Sequence, residues 1–515
     1  MEKKAKKKIG IFSLTSIGVG AIIGSGIFAM PASMGAVAGP GLVLAILLAG
    51  MIAMVFALVY AELGATFHID GGPYAFPRLA MGDLTGFLMG WGYFLYLFIG
   101  TAAIIDIFIV YLGFYFPSLA HGETLTGLGV IISVICVWAF TIINIYGVQW
   151  GSLYSVITTI GKIVPLILFC VIGFFYFNPS NNFVPFLPFG LKGVTIAVTL
   201  FLWSYTGFEA IVIPTGEMKN PARTIPVSMI LTMVIVSVVY LLIAYVFVGI
   251  INWENLGFTV NDWKSIATLK SPLADISVAS GLKVLATIVT VGAIISTGGA
   301  GGSWILIQGR LPYAMAKDNL FWNLMGKEHP KYFTPANSLI FTSALTTLIL
   351  VSITHFPSVA LIASITCVVP YAAACVSLSI LRHTHKREKR PFKVPFHFAF
   401  TGAGFILSTF LIYWASWPWT LVGAVLILLG YPAFLLIGKK REDWHKSLWV
   451  PVYLIGLVII SILGDKQFEF NNFTPIHPLN IIRMPYDLVV LSIFAIVIYI
   501  WIFKINVAKS KFWKK

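Results

Sequence analysis

Four ionisable side chains stand inside long apolar stretches of this sequence: Glu62, Asp106, Lys162 and Glu209. A charge at the centre of a bilayer costs about 2.5–3.5 kcal/mol on insertion scales, so each is a candidate for function. Two interruptions accompany them. Residues 22–28 read Ile-Ile-Gly-Ser-Gly-Ile-Phe, where an unbroken membrane helix would carry Leu, Ile or Ala. Two glycines weaken a helix by about 1 kcal/mol each relative to Ala. Residues 203–209 read Trp-Ser-Tyr-Thr-Gly-Phe-Glu, a small polar run followed by a carboxylate. A helix that unwinds in lipid frees N–H and C=O groups that must find partners. N–H groups freed around Ser25, Gly26 and Ile27 suit a carboxylate, as helix N-termini do. Carbonyls freed near Ile22, Trp203 and Ser204 suit an ammonium. Together they fit the zwitterionic head of an α-amino acid.

The elements that hold these groups are apolar helices. The chain is 58% hydrophobic and 10% charged, with a mean hydropathy of +0.92. A soluble domain carries about 25% charged residues. Fourteen apolar segments are legible, near 11–34, 41–64, 84–116, 126–145, 153–177, 193–214, 227–251, 282–308, 337–355, 360–381, 399–414, 420–438, 450–463 and 487–504. Their lengths match the bilayer core and predict an all-α polytopic membrane protein. Twelve spans is the fallback, because 399–414 and 450–463 are short. The first segment follows Lys3, Lys4, Lys6, Lys7 and Lys8 and has no cleavage site, so it is read as retained.

The net charge of +15 could suggest nucleic acid. Its placement argues otherwise. With the N-terminus inside, most of the 34 Lys and Arg residues fall on the inner side, which is the positive-inside rule. The basic runs Arg382 to Lys393 and Lys439 to Arg441 read as topology signals and anionic-lipid contacts. Both Lys-rich termini are expected in the cytoplasm, and the chain in the plasma membrane. Cys136, Cys170, Cys367 and Cys375 have no metal-ligand or redox spacing and read as small core residues. His68, His121, His329, His383 and His385 lie in loops or at segment ends, so no metal site, cofactor or membrane-embedded enzyme is expected. No pore-loop motif supports a channel.

The two interruptions fall in the first and sixth segments, five apart. Broken helices at matching places in two five-helix halves point to an inverted-repeat transporter with its site at the midplane. The surrounding motifs resemble the amino acid–polyamine–organocation superfamily of transporters over residues 9–385. They are Gly20 to Phe28; Tyr60-Ala61-Glu62-Leu63 with Gly71-Gly72-Pro73-Tyr74; Gly207-Phe208-Glu209 followed by Gly216-Glu217-Met218-Lys219-Asn220-Pro221; and Arg310 to Phe321. The resemblance implies a core at 11–385 after a basic N-terminus at 1–10. Additional helices and a basic tail follow at 386–515.

The resemblance also implies alternating access around a central amino-acid site. Ile22, Ile23, Ser25, Gly26 and Ile27, with Trp203, Ser204 and Thr206, match the backbone-binding positions of the family. Trp203 matches an occluding aromatic, and Trp304 a pocket tryptophan of arginine–agmatine exchangers. Tyr96, Leu97, Thr101, Ala363 and Ser364 would line the side-chain pocket, whose apolar character leans toward a neutral amino acid or a broad range. A lysine at the place of Lys162 stands in for the sodium ion of sodium-coupled relatives, which makes a proton the expected coupling ion. Glu209 and Tyr371 match a pair that links protonation to gating. Asp106 departs from the family pattern and is grouped with them as a coupling candidate.

Proton symport is the expectation. The alternatives are exchange of amino acid for amine, and an amino acid sensor that binds without transport. The last helices are candidates for contact with a second copy or a small partner subunit.

Overall fold

A computed structural model describes residues 10–69, 71–122, 124–146, 151–178, 182–212, 218–354, 356–437, 444–466, 469 and 477–508. The basic N-terminal run, the Lys439 to Arg441 run, the C-terminal Lys-rich tail and the Gly216-Glu217 motif lie outside the described residues.

A helix occupies each of the fourteen apolar segments. We number them α1, in two halves Ile11–Ile22 and Gly26–Ala38; α2, Leu42–Phe67; α3, Asp83–Leu112; α4, Gly127–Tyr146; α5, Gly151–Phe174; α6, Gly190–Tyr205; α7, Pro221–Gly249; α8, Lys283–Lys317; α9, Ala336–Ser352; α10, Phe356–Thr384; α11, His397–Trp414; α12, Trp419–Leu436; α13, Trp449–Leu463; and α14, Tyr486–Ala508. Eleven described helices are long and apolar enough to cross a membrane, the second half of α1 and α2 together giving one of these. Of the two segments that read as short, α11 is among them, and α13 is when joined to the helical turn that begins at Trp444. On α4, Ile131, Ile135 and Ile142 lie at helical spacing and are each more than half exposed. Such a continuous apolar stripe needs a bilayer to cover it. Among the described residues the only strands are a small hairpin, Ala120–His121 with Thr124–Leu125.

The helix packing carries an internal symmetry. Replace each of α1 to α5 by the helix five places on, and the reverse, and the contacts map onto one another. The α1–α7 contact becomes α6–α2, α3–α10 becomes α8–α5, and α3–α9 becomes α8–α4, and each of these is present. The α4–α9 contact maps onto itself. This is the pattern of a five-plus-five repeat. Outside it, α11 packs on α10 and α14, while α12 packs on α10, α3 and α13.

Glu62, at the end of α2, ties the repeat together. Its side chain is fully buried and accepts a forked hydrogen bond from Arg382 of α10, with Arg382 Nε at 2.6 Å from Oε1. The Val394 N–H donates to its other oxygen at 2.7 Å. Glu62 is therefore a structural staple. Removing Arg382 leaves the buried carboxylate with only the Val394 N–H and the more distant Arg390 at 3.7 Å, so Arg382→Ala is expected to cost about 3 kcal/mol of stability. A thermal unfolding midpoint equal to that of the native chain would contradict this role.

Candidate substrate site at two helix breaks

The first half of α1 stops at Ile22. Ile23 turns to an extended conformation with ψ 93°, and the helix restarts at Gly26. The α6 helix stops at Tyr205, Thr206 is extended with ψ 157°, and a 3-10 turn resumes at Phe208. Gly207 joins them at φ +107°, a conformation that L side chains rarely adopt. A Cβ there would also lie 2.9 Å from the Ala21 carbonyl oxygen. A Cβ at Gly26 would lie 2.0 Å from Ser204 Oγ. The two breaks thus touch, each through a glycine.

Four carbonyls at the first break accept from side chains of other helices. Lys162 Nζ, on α5, donates to Gly20 O at 2.8 Å and to Ile23 O at 2.9 Å. Tyr240 of α7 donates to Ile22 O at 3.2 Å and lies 3.0 Å from Ser204 O, so one hydroxyl spans both breaks. Ser296 of α8 donates to Gly24 O at 3.3 Å. Lys162 reaches this place because α5 and α8 approach closely at Gly161, where a Cβ would lie 2.6 Å from Ile295. The N–H groups of Gly26 and Ile27 begin a helical turn and have no intrahelical acceptor by geometry. The Ser204 hydroxyl is buried without a hydrogen-bond partner among the described residues.

Beside the breaks stands an aromatic wall. Tyr96, Trp203 and Trp304 have ring centroids 5.2–6.0 Å apart, and Trp203 Nε1 donates to Ser25 Oγ at 3.3 Å. Gly100 makes this possible, since a Cβ there would lie 2.7 Å from Trp304 and 2.8 Å from Trp203. Glu209 follows the second break, 1% exposed. Its carboxyl accepts from Tyr93 at 2.9 Å and from the Gly207 N–H at 3.1 Å. Tyr371 packs against Phe208 with centroids 5.2 Å apart and the rings tilted by 40°, and its electrostatic neighbours include Glu209.

The structure therefore brings together Ile22, Ile23, Ser25, Gly26, Trp203, Ser204, Lys162, Tyr96, Trp304, Glu209 and Tyr371, with Ile27 buried in the turn that follows. Two hydroxyls serve their own helices, Thr101 donating to Leu97 O and Ser364 to Ala360 O, each at 2.8 Å, while Thr206, in the break, donates to Trp203 O at 2.7 Å and lies beside the Tyr96 hydroxyl. Asp106 is fully buried on α3, beyond Thr101.

Four residues escaped the sequence reading: Tyr240, Ser296, Tyr93 and Gly100. Tyr93 had a signal, since it lies three residues before Tyr96 on the same helix face. Tyr240 and Ser296 had none, because only packing carries them to the breaks. Tyr240→Phe leaves two buried carbonyls without that donor, and about 1–3 kcal/mol of stability should go with it. Unchanged unfolding of this variant would remove Tyr240 as the bridge.

The site is closed. A cavity of about 760 Å³ lies elsewhere, between the short helix Gly72–Met81 and the end of α8. It is bordered by Arg78, which pairs with Asp318 at 2.7 Å and with Asp83 at 2.8 Å.

Comparison with known proteins agrees with this architecture. The amino acid permease family model matches residues 9–460. The aspartate-proton symporter of Bacillus subtilis is 30% identical over 514 residues, 96% of each chain. The branched-chain amino acid permease BcaP of the same organism is 27% identical over 86% of this chain and 96% of its own. The arginine/agmatine antiporter of Chlamydia pneumoniae is 28% identical over 90% of this chain and 96% of its own. A multi-pass helical protein with paired helix breaks and this family match is a transporter and not an enzyme, and the chain belongs to the amino acid permease family of the amino acid–polyamine–organocation superfamily.

Proposed function

We propose that this chain is a proton-coupled amino acid symporter of the plasma membrane, with both termini in the cytoplasm. The observation that carries the coupling is the Lys162 amine seated on the Gly20 and Ile23 carbonyls. An ammonium there does what a bound cation would do: it neutralises carbonyl oxygens and holds the break open for substrate. Loss of its proton weakens both hydrogen bonds and loosens the break.

The substrate carboxylate meets the N–H groups at Gly26 and Ile27 and the Ser204 hydroxyl. The ammonium faces carbonyls at Trp203 and Ser204. The side chain lies against Tyr96, Trp203 and Trp304, an apolar wall that favours a neutral amino acid or a range of them. Asp106, Glu209 and Tyr371 are assigned to proton coupling or gating. Transit requires the closed site to open in turn to each side, and the Arg78–Asp318 pair beside the cavity is one contact that must separate.

Exchange is a second reading. The Trp203–Trp304–Tyr96 cluster favours it, together with the 28% identical relative named as an antiporter. Uptake into vesicles containing the purified protein separates the two. Symport predicts accumulation under an acid-outside gradient with empty vesicles. Uptake that requires internal amino acid or amine and ignores the gradient would replace symport by exchange. Binding with no flux under either condition would make the chain a sensor.

A further inference from the structure

A second polar site lies away from the helix breaks, where α10, α11 and α14 meet. A cavity of about 400 Å³ opens there, and Arg382, His383, Lys386, Arg390, Lys393 and His397 line it, with Glu388 as its single acid. Three hydroxyls lie beneath it. Ser379, Thr401 and Tyr499 are mutually hydrogen bonded at 2.6–2.7 Å and join the same three helices.

The charges here do not balance. The Glu62 carboxylate is already filled by Arg382 and by the Val394 N–H. The Arg390 side chain is only 7% exposed, and its Nη1 stands 3.7 Å from Glu62 Oε1, too far for a hydrogen bond. That nitrogen is buried without a hydrogen-bond partner among the described residues. Its neighbour Nη2 is used, donating to Leu381 O at 3.0 Å and His385 O at 3.3 Å. Two guanidiniums thus share one carboxylate. Lys386 and Lys393 stand at the rim without an ion pair among the described residues. Burial lowers the Arg390 pKa, and Arg382 adds to this against the pull of Glu62. Two guanidiniums that share one carboxylate, with two exposed ammonium groups at the rim, form a donor set for a tetrahedral oxyanion.

We propose that this cavity binds a phosphate-bearing anion, with Arg390 as its buried anchor and Lys386 and Lys393 closing over it. A phospholipid headgroup and a soluble phosphate share that chemistry. Phe398, 42% exposed, packs against Phe503 of the cavity wall, and Phe396, just before His397 in the chain, is 89% exposed, apolar surface beside which acyl chains can lie. The bound anion joins the α10–α11 connection to α14, and through Arg382 and Glu62 to α2.

The test is thermal unfolding of the purified full chain in detergent at constant ionic strength. One series adds inorganic phosphate, a second short-chain phosphatidylglycerol, and a third phosphatidylcholine as a control. The midpoint should rise with ligand concentration in at least one of the first two series and stay level in the third. The Lys386→Gln/Lys393→Gln variant should bind roughly tenfold or more weakly, from about 1 kcal/mol per cation facing an anionic headgroup. Both lysines are exposed, so its unfolding without anion should match the native chain, and Lys393→Gln alone should fall between. A response to phosphatidylglycerol alone identifies a lipid; a response to phosphate identifies a soluble anion. No rise with either, or a rise undiminished in the variants, overturns the proposal. The readout is binding, so its outcome is independent of whether the chain works by symport or exchange.

Discussion

Lys162→Ala should abolish accumulation driven by a proton gradient while leaving amino acid binding measurable. The Nζ donates to Gly20 O and Ile23 O, and the side chain is only 4% exposed. Alanine removes both donors and the titrating group at once. If one proton moves with each substrate, a gradient of one pH unit is worth about 1.4 kcal/mol, or roughly tenfold accumulation. The native chain should approach that ratio in vesicles, and the variant should fall to about one. Substrate can still bind, because Tyr240 and Ser296 continue to hold Ile22 O and Gly24 O. Lys162→Arg is a stringent companion. It restores positive charge but does not readily release a proton, so it should bind substrate and fail to accumulate it. Native pH dependence in Lys162→Ala would remove this residue from the coupling mechanism.

Gly26→Ala should lose substrate affinity by roughly a hundredfold or more, a change of at least about 2.7 kcal/mol. From the sequence, a side chain at Gly26 is objectionable because it would occupy the place of the substrate carboxylate. The structure adds a stronger obstacle. The new Cβ would sit 2.0 Å from Ser204 Oγ, 2.7 Å from Ser204 Cβ and 2.9 Å from Ser204 Cα. The last is backbone and cannot swing away. The breaks in α1 and α6 must then separate, and the N–H groups on one side no longer face the carbonyls on the other. Overpacking of this kind typically costs 1–3 kcal/mol before any ligand contact is counted. Adding Ser204→Gly to the variant removes Oγ and Cβ but leaves Cα, so part of the affinity should return. Equilibrium binding of an amino acid to both variants decides it. Native affinity in Gly26→Ala would sink the site assignment.

Glu62 and Lys162 show how far intramembrane charge alone can be interpreted. Both are buried ionisable groups in apolar helices. Glu62 meets Arg382 from a helix that begins nearly 300 residues later in the chain and becomes a staple. Among the described residues Lys162 meets only backbone carbonyls, and it stays a candidate for coupling. The cost of burying a charge flags both residues equally, and it does not say which partner will arrive.

Local sequence determined the helices and their breaks. Apolar runs of bilayer length must satisfy their backbone internally, so α1 to α14 were legible, and glycine where helix is costly marked the interruptions at Gly24–Gly26 and Gly207. These are short-range properties of the chain. Tertiary structure decided what meets the breaks. Tyr240 and Ser296 come from α7 and α8, Gly100 admits two tryptophans because helices from both halves converge on it, and Thr101 and Ser364 turn their hydroxyls to their own helices. Contacts between helices far apart in sequence depend on packing geometry, and no local pattern encodes them.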